Sequence, residues 1–371
     1  KYWPFVFAGY GLIISVPLTG LIREGENAWV FLLVFIMMER IGKALRSPAK
    51  DTIISTVAEG EDKIGTGFAF GWQEALDRAG AALGPLIFTL VFMITGRDGL
   101  AEYATGYILL GIPFVLLLIT VFIVYTKTKK TGVMEERLKA EDAAALAIET
   151  TGTAEATEKE AINSNQKNQV NLPSKEKLPV VFWIYCTFTF FSLIGFVTFV
   201  PIGFYLAYTE VFTGAQIPML YTLAMATNAI LAVGIGVLYD KIKKKTGNKH
   251  SGLLMLGFVP FASALFPFLL LSGSVTLIIV AFLVYGIILA THSTIMRASI
   301  ADVVSLRKRG TGYGIFNTAF GIALLTGSLI FGFLISNFEI IHVQLFTVGT
   351  QAIAFFVFII MRYKVIHYRL S

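Results

Sequence analysis

The sequence Arg-Ala-Ser-Ile-Ala-Asp at 297–302 repeats the spacing of Arg-Ser-Pro-Ala-Lys-Asp at 46–51. Each copy is followed by Gly-Thr-Gly and an aromatic residue, at 310–313 and at 65–68. Two matches in the same order, at nearly the same offset, indicate an internal repeat whose period is a large part of the chain.

A third match pairs Gly-Ser-Leu-Ile-Phe at 327–331 with Gly-Pro-Leu-Ile-Phe at 84–88. All three matches fall at equivalent places relative to the apolar segments around them. This pattern is typical of membrane proteins built from two parallel halves that are related by an axis along the membrane normal.

The composition agrees with a protein that lies in lipid. Of the 371 residues, 56% are hydrophobic and 15% are charged, whereas soluble domains carry roughly 25% charged residues. A membrane-spanning helix needs about 20 mostly apolar residues. The sequence predicts ten such segments, at 2–22, 27–50, 65–95, 101–126, 179–208, 216–239, 252–272, 275–303, 310–336 and 341–363. We therefore predict an all-α membrane protein with two pseudo-symmetric helical bundles.

The repeat also predicts how the helices are divided. Segment 275–303 is the fourth of its half, whereas its counterpart 27–50 is the second, so the first half is expected to lack two N-terminal helices of a 6+6 arrangement. The predicted parts are an N-terminal half at 1–126, a polar cytoplasmic linker at 127–178 and a C-terminal half at 179–371. Within the linker we expect a surface helix near 134–149.

Basic residues cluster on alternate connections, which by the positive-inside rule places those connections and both termini in the cytoplasm. The net charge of +6 therefore reflects topology in the plasma membrane and not a nucleic-acid site. The residues on the basic connections, outside the linker, are Lys43, Arg46, Lys50, Lys63, Lys241, Lys243, Lys244, Lys245, Lys249, Arg307, Lys308, Arg309, Arg362, Lys364 and Arg369.

Two short motifs give a resemblance to a known family. Gly236, Asp240 and Lys241 stand in a Gly-x3-Asp-Lys pattern, and Arg40 precedes Ala44 in a pattern that resembles Arg-x3-Gly with alanine at the last position. Together with the repeat, these motifs resemble the major facilitator superfamily, beginning at its third transmembrane helix. The resemblance covers essentially the whole chain.

A third motif, Gly80-x3-Gly84-Pro85, resembles the fifth-helix motif associated with antiporters of that superfamily. Small residues four apart let helix backbones approach closely. The resemblance implies an antiport-type mechanism that favours efflux, while ordinary helix packing is the alternative explanation of these residues.

Charged residues inside the segments are candidates for the transport site, because a charge at mid-bilayer needs a cavity or a partner. Glu74, Asp77 and Arg78 share one helix face. Either Glu74 or Asp77 carries the coupling proton, with Arg78 setting its proton affinity, or the three form a structural ion cluster. Trp72 is a weaker cavity candidate.

Glu39 and Arg40 lie where segment 27–50 leaves its most apolar part. Arg40 is the candidate cavity charge, and Glu39 is its partner or a second protonatable site. Polar residues inside the C-terminal segments are proton-relay or substrate candidates, with interhelical hydrogen bonds as the alternative: Asn228, His292 and Asn317.

The repeated residues Arg46, Asp51, Arg297 and Asp302, together with Asp240, are expected at cytoplasmic helix ends. We interpret them as gate charges that hold the two halves together when the transporter faces outward. The alternative is that they only set the topology.

The predicted function is secondary active transport of a small organic solute by alternating access, most simply as a proton antiporter, in a monomer. A symporter or facilitator that imports a metabolite, and a non-transporting sensor or scaffold, remain open. We expect no enzyme activity, cofactor or metal, because no nucleotide-binding loop or catalytic spacing occurs.

Overall fold

The computed structural model describes residues 2–23, 25–60, 64–96, 99–132, 135–137, 139–140, 143, 177–212 and 216–367. This part of the chain is almost entirely helical and contains no β-strand. Ten long helical stretches follow one another: α1 (Trp3–Leu21), α2 (Ala28–Gly60), α3 (Thr66–Thr95), α4 (Leu100–Thr131), α5 (Val180–Tyr208), α6 (Gln216–Thr246), α7 (Lys249–Leu270), α8 (Val275–Val303), α9 (Leu306–Asn337) and α10 (Ile340–His367).

Eight of these stretches, all except α2 and α3, are long and apolar enough among the described residues to cross a membrane. Helices α2 and α3 have 33 and 30 residues and carry most of the charged candidates. The structure is therefore a polytopic helical membrane protein. The count of ten spans remains a prediction, as does the division at the linker, most of which lies outside the described residues. The surface helix expected near 134–149 lies largely outside them too.

Interruptions in two helices follow from proline. Helix α4 is broken at Leu110 and α5 between Ile194 and Phe199. Pro113 and Pro201 each stand three residues after the last irregular position. Proline cannot donate a backbone hydrogen bond and clashes with the preceding turn, so the helix yields just before it.

Several predicted helix ends are wrong, and the charged residues explain why. Helix α2 continues to Gly60 rather than ending at 50, so Lys43, Arg46 and Lys50 lie inside a helix and not in a connection. Likewise α6 continues past 239 and contains Asp240. A charged residue marks the end of a membrane-spanning segment where the helix faces lipid. Here the charged turns of α2 and α6 face polar and charged groups of other helices, so both helices can continue past those residues.

The helices are arranged around α6, which packs against α3 on one side and α8 on the other. Helix α9 packs against α2 and α5, and α10 packs against α5 and α7. The main buried core lies among α5–α10 and includes Tyr185, Phe282 and Tyr313. Large apolar side chains are exposed along most other faces, as expected of helices that meet lipid.

Candidate functional site

The closest approach between α1–α4 and α5–α10 is a crossing of α3 and α6 that is built from small residues. A Cβ atom added to Gly67 would collide with the carbonyl oxygen of Gly236, and one added to Gly236 would collide with Gly67. One turn on, a Cβ at Gly71 would lie 2.5 Å from the Ala232 carbonyl oxygen. The two backbones therefore touch directly, as small residues four apart allow.

Asp240 closes the same crossing at its end. Its carboxylate accepts hydrogen bonds from the backbone N–H groups of Gly67, at 3.0 Å, and Phe68, at 2.7 Å. These donors belong to the first turn of α3, where N–H groups have no partner within the helix and the helix dipole favours a negative charge. Asp240 of α6 thus caps a helix on the other side of the linker.

Asp302 lies next to this cap, but its cation is not Arg297. Lys243 Nζ binds Asp302 Oδ1 at 2.6 Å, and the Tyr239 hydroxyl donates to Oδ2 at 2.5 Å. Lys243 also donates to the Thr66 hydroxyl at 3.4 Å. Lys243 therefore joins the first turn of α3 to the last turn of α8.

A further ion pair, which the sequence motifs did not indicate, joins α9 to α2. The Arg309 guanidinium, with 5% of its side chain exposed, binds the Glu59 carboxylate through two contacts of 3.0 Å. It also donates to the Ala301 carbonyl oxygen at 2.9 Å. We call the interactions of Asp240, Lys243, Asp302, Glu59 and Arg309 the closure contacts, and the end of the bundle where they lie the basic end.

Deeper in the bundle, Glu74 is the centre of a polar cluster. Its side chain is 3% exposed and pairs with Arg78 of the next turn at 2.6 Å. Asn228 of α6 donates to the same carboxylate at 3.3 Å, and Arg297 of α8 approaches it at 3.8 Å. The structure thus brings three of the predicted candidates, Arg78, Asn228 and Arg297, to Glu74. Arg297 lies here and not beside Asp302.

Gln73 joins Arg297 to a second cation. In the amide orientation that its surroundings require, Gln73 Oε1 accepts from Lys50 Nζ at 2.6 Å and from Arg297 at 3.2 Å. Gln73 carries no charge and belongs to no motif, and Lys50 was expected only to set topology. We call Lys50, Gln73, Glu74, Arg78 and Arg297 the central cluster.

Two carboxylates flank the central cluster without a direct contact to its cations. Both Asp51 and Asp77 lie close enough to Arg297 and Lys50 to interact with them electrostatically. Asp77 is exposed. Asp51 is fully buried, accepts a 3.4 Å hydrogen bond from Ser47, and leaves its Oδ1 atom without a partner among the described residues.

The remaining charges of α2 take other partners. Arg46 does not pair with Asp51; it donates to the Gly9 carbonyl oxygen at 3.4 Å and lies over the Tyr10 ring at 4.8 Å. Arg40 pairs with its neighbour Glu39 at 3.3 Å, and 67% of the Arg40 side chain is exposed. The structure therefore does not bring Glu39 and Arg40 to the central cluster.

The antiporter-like motif does not form a close helix contact in this conformation. A Cβ atom added to Gly80 or Gly84 would meet no atom within 4 Å, so the expected backbone approach is wrong at these positions. The side chain of Pro85 lies outside the described residues. The actual crossing has a sequence signal of its own, the Gly67-x3-Gly71 spacing on the same helix.

The other polar candidates lie apart from one another. His292 is buried among α5–α10, 3.2 Å from the Ser192 hydroxyl and edge-on to Phe196. Asn317 of α9 donates to Ser47 of α2 at 3.4 Å. Trp72 is exposed and packs loosely on Phe68, and Lys241 is exposed beside the Asp240 cap. Among the described residues, no group of three His, Cys, Asp or Glu could hold a metal ion.

Comparisons with known proteins agree with this architecture. The chain is 29% identical over 335 residues to an uncharacterized protein of Mycobacterium tuberculosis, covering 90% of this chain and 71% of that one. It is 26% identical over 331 residues to an uncharacterized MFS-type transporter of Methanocaldococcus jannaschii, covering 89% and 71%.

Among solved structures, a bacterial homologue of the iron transporter ferroportin in its outward-facing state has the same fold. Its TM-score is 0.60 at 13% identity, over 98% of this chain and 84% of that one. The same homologue with soaked iron gives 0.58. The family model of the Major Facilitator Superfamily matches residues 2–248. The helical fold of the chain and this family match together place the chain in the Major Facilitator Superfamily.

Proposed function

We propose that this transporter moves a small organic solute by alternating access, with the central cluster at the solute site. The observation that carries the proposal is the position of the polar contacts between α1–α4 and α5–α10. On α3 these contacts run from Thr66 to Arg78, which is the part of the helix nearer the basic end. Ionic and polar contacts therefore hold α1–α4 and α5–α10 together at the basic end.

The basic residues give the orientation of this arrangement. By the positive-inside rule the basic end faces the cytoplasm of a plasma-membrane protein, so the closure contacts correspond to an outward-facing state. Alternating access then requires them to separate while the opposite ends of the helices come together.

The finer proposal is export in exchange for protons. It is supported by the antiporter-like spacing Gly80-x3-Gly84-Pro85 and by carboxylates at the centre of the bundle. Asp77 is the better proton carrier of the two candidates on α3, because it is exposed and has no ion pair within the described residues, whereas Glu74 is bound by Arg78.

A flux measurement in proteoliposomes tests the function. With a pH gradient across the membrane, addition of a transported solute is expected to release protons on the side to which the solute is added. Proton uptake together with the solute would instead indicate the symporter alternative. Binding of a partner protein with no flux of any solute would favour the sensor or scaffold and overturn the proposal.

A further inference from the structure

The central cluster contains two cations that share one uncharged acceptor. Lys50 comes from α2 and Arg297 from α8, and both donate to the amide oxygen of Gln73 on α3, at 2.6 and 3.2 Å. Lysine and arginine heads normally pair with carboxylates when they are removed from water. Here two such cationic groups converge on a neutral oxygen, so this contact does not neutralise their positive charge.

The nearby carboxylates do not neutralise this pair. Glu74 approaches Arg297 only at 3.8 Å and is already bound to Arg78 at 2.6 Å. Lys50 has no ion pair with any described carboxylate. Asp51 and Asp77 act on both cations only through longer-range electrostatic interaction, and Arg46 adds a further positive charge near Lys50.

The hydrogen-bonding capacity of the two cations also exceeds what the protein uses. A guanidinium has five N–H donors and an ammonium has three. The described contacts of Arg297 with Glu74 and Gln73 both go through one nitrogen. The Arg297 side chain is 25% exposed, so the protein leaves part of it open to a ligand.

We propose that Lys50 and Arg297 bind the carboxylate or phosphate group of a small organic anion, which displaces the Gln73 amide oxygen. A carboxylate or phosphate oxygen brings the negative charge that the Gln73 amide oxygen lacks, and it can form charge-assisted hydrogen bonds to both cations, so an oxyanion is the better occupant. The inference rests on the proposed function, since it names the class of solute for the central cluster. The two cations lie on opposite sides of the linker, so one anion contacts helices that move apart during transport.

Thermal unfolding of the purified full-length protein tests the site without a transport assay. A ligand that binds only the folded state raises the unfolding temperature in a saturable way. We expect sodium phosphate or sodium succinate to do so relative to sodium chloride at matched ionic strength. Phosphate alone would assign a phosphate group, succinate alone a carboxylate, and both a general oxyanion site.

Two variants link the effect to the two cations. Lys50→Gln is expected to raise the apparent Kd of the active anion at least tenfold, whereas Lys245→Gln, which removes an exposed lysine outside the central cluster, leaves it unchanged. Gln73→Glu places a carboxylate between the cations. It should raise the unfolding temperature in chloride and abolish the response to added anion.

The proposal is overturned if neither oxyanion stabilises the protein more than chloride. It is also overturned if Lys50→Gln and Gln73→Glu respond as the unmodified protein does. Solute flux in proteoliposomes without any oxyanion response would reject the anion site and leave the proposed function standing. An oxyanion response that depends on Lys50, in a protein without flux, would support the anion site and reject the proposed function.

Discussion

Arg309 and Glu59 join α9 to α2 through two parallel contacts of 3.0 Å, with the guanidinium almost fully buried. Glu59→Gln removes the charge and leaves the buried Arg309 without its carboxylate. The loss of charge-assisted hydrogen bonds of this kind costs about 1.5–3 kcal/mol, here nearer the lower value because Glu59 is partly exposed. We expect the basic end to open, measured as a longer distance between spin labels at Val57 and Lys244.

The matched control is Glu339→Gln, which removes an exposed carboxylate beyond the opposite end of α9. It should leave the label distance unchanged. An unchanged distance in Glu59→Gln as well would mean that the Arg309 pair does not hold the basic end shut.

The Asp240 cap makes a second prediction. Asp240→Ala removes the acceptor of the Gly67 and Phe68 N–H groups, and loss of a helix cap typically costs about 1 kcal/mol. Because the cap joins α6 to α3, the loss of stability should appear specifically in the state in which the basic end is closed. Hydrogen exchange of the first turn of α3 is expected to accelerate, while exchange in the core of α8 stays constant. Equal acceleration in both would indicate general destabilisation instead.

The glycine crossing predicts an order of sensitivity along α3 and α6. Gly236→Ala forces a methyl group against the Gly67 carbonyl oxygen, and overpacking of this kind costs about 1–3 kcal/mol. Gly80→Ala meets open space and gains helix propensity of about 0.5–1 kcal/mol. Unfolding temperatures in one detergent should therefore fall for the first variant and hold or rise for the second. The reverse order would place the main contact at Gly80.

Stability distinguishes Asp77 from Glu74, the two candidate proton sites on α3. Asp77→Asn should abolish gradient-driven flux, leave solute exchange intact and spare stability, since Asp77 is exposed. Glu74→Gln should also abolish coupled flux but lower the unfolding temperature, because it leaves Arg78 with no carboxylate partner. Both are measured in proteoliposomes beside thermal unfolding. Coupled flux that survives both substitutions would falsify the proposal that either residue carries the proton.

The fold was predictable because apolar length and the repeat are local or periodic signals. Helix ends were not, since α2 continues through Lys43, Arg46 and Lys50. The sequence pattern places those charges at the edge of the membrane, whereas two of them, Arg46 and Lys50, contact groups on neighbouring helices.

The site was predictable only where spacing along one helix determines the contact. The Glu74–Arg78 pair follows from the four-residue spacing. The partners of Arg297 do not, because Gln73 and Glu74 are more than 200 positions away in the sequence. Gln73 is neutral and carries no sequence signal of a cationic neighbourhood. The family resemblance favours Gly80 and Gly84 as the helix contact, although Gly67 and Gly71 have the same spacing.

Cys186 is the one cysteine among the 371 residues, and it is buried on α5. A thiol reagent that stays in water will not reach it while the protein is folded. A cysteine introduced at an exposed position is then the sole reactive thiol of this chain, without any prior removal of the natural one. The conformational cycle can therefore be followed by site-specific labelling on an otherwise unaltered sequence.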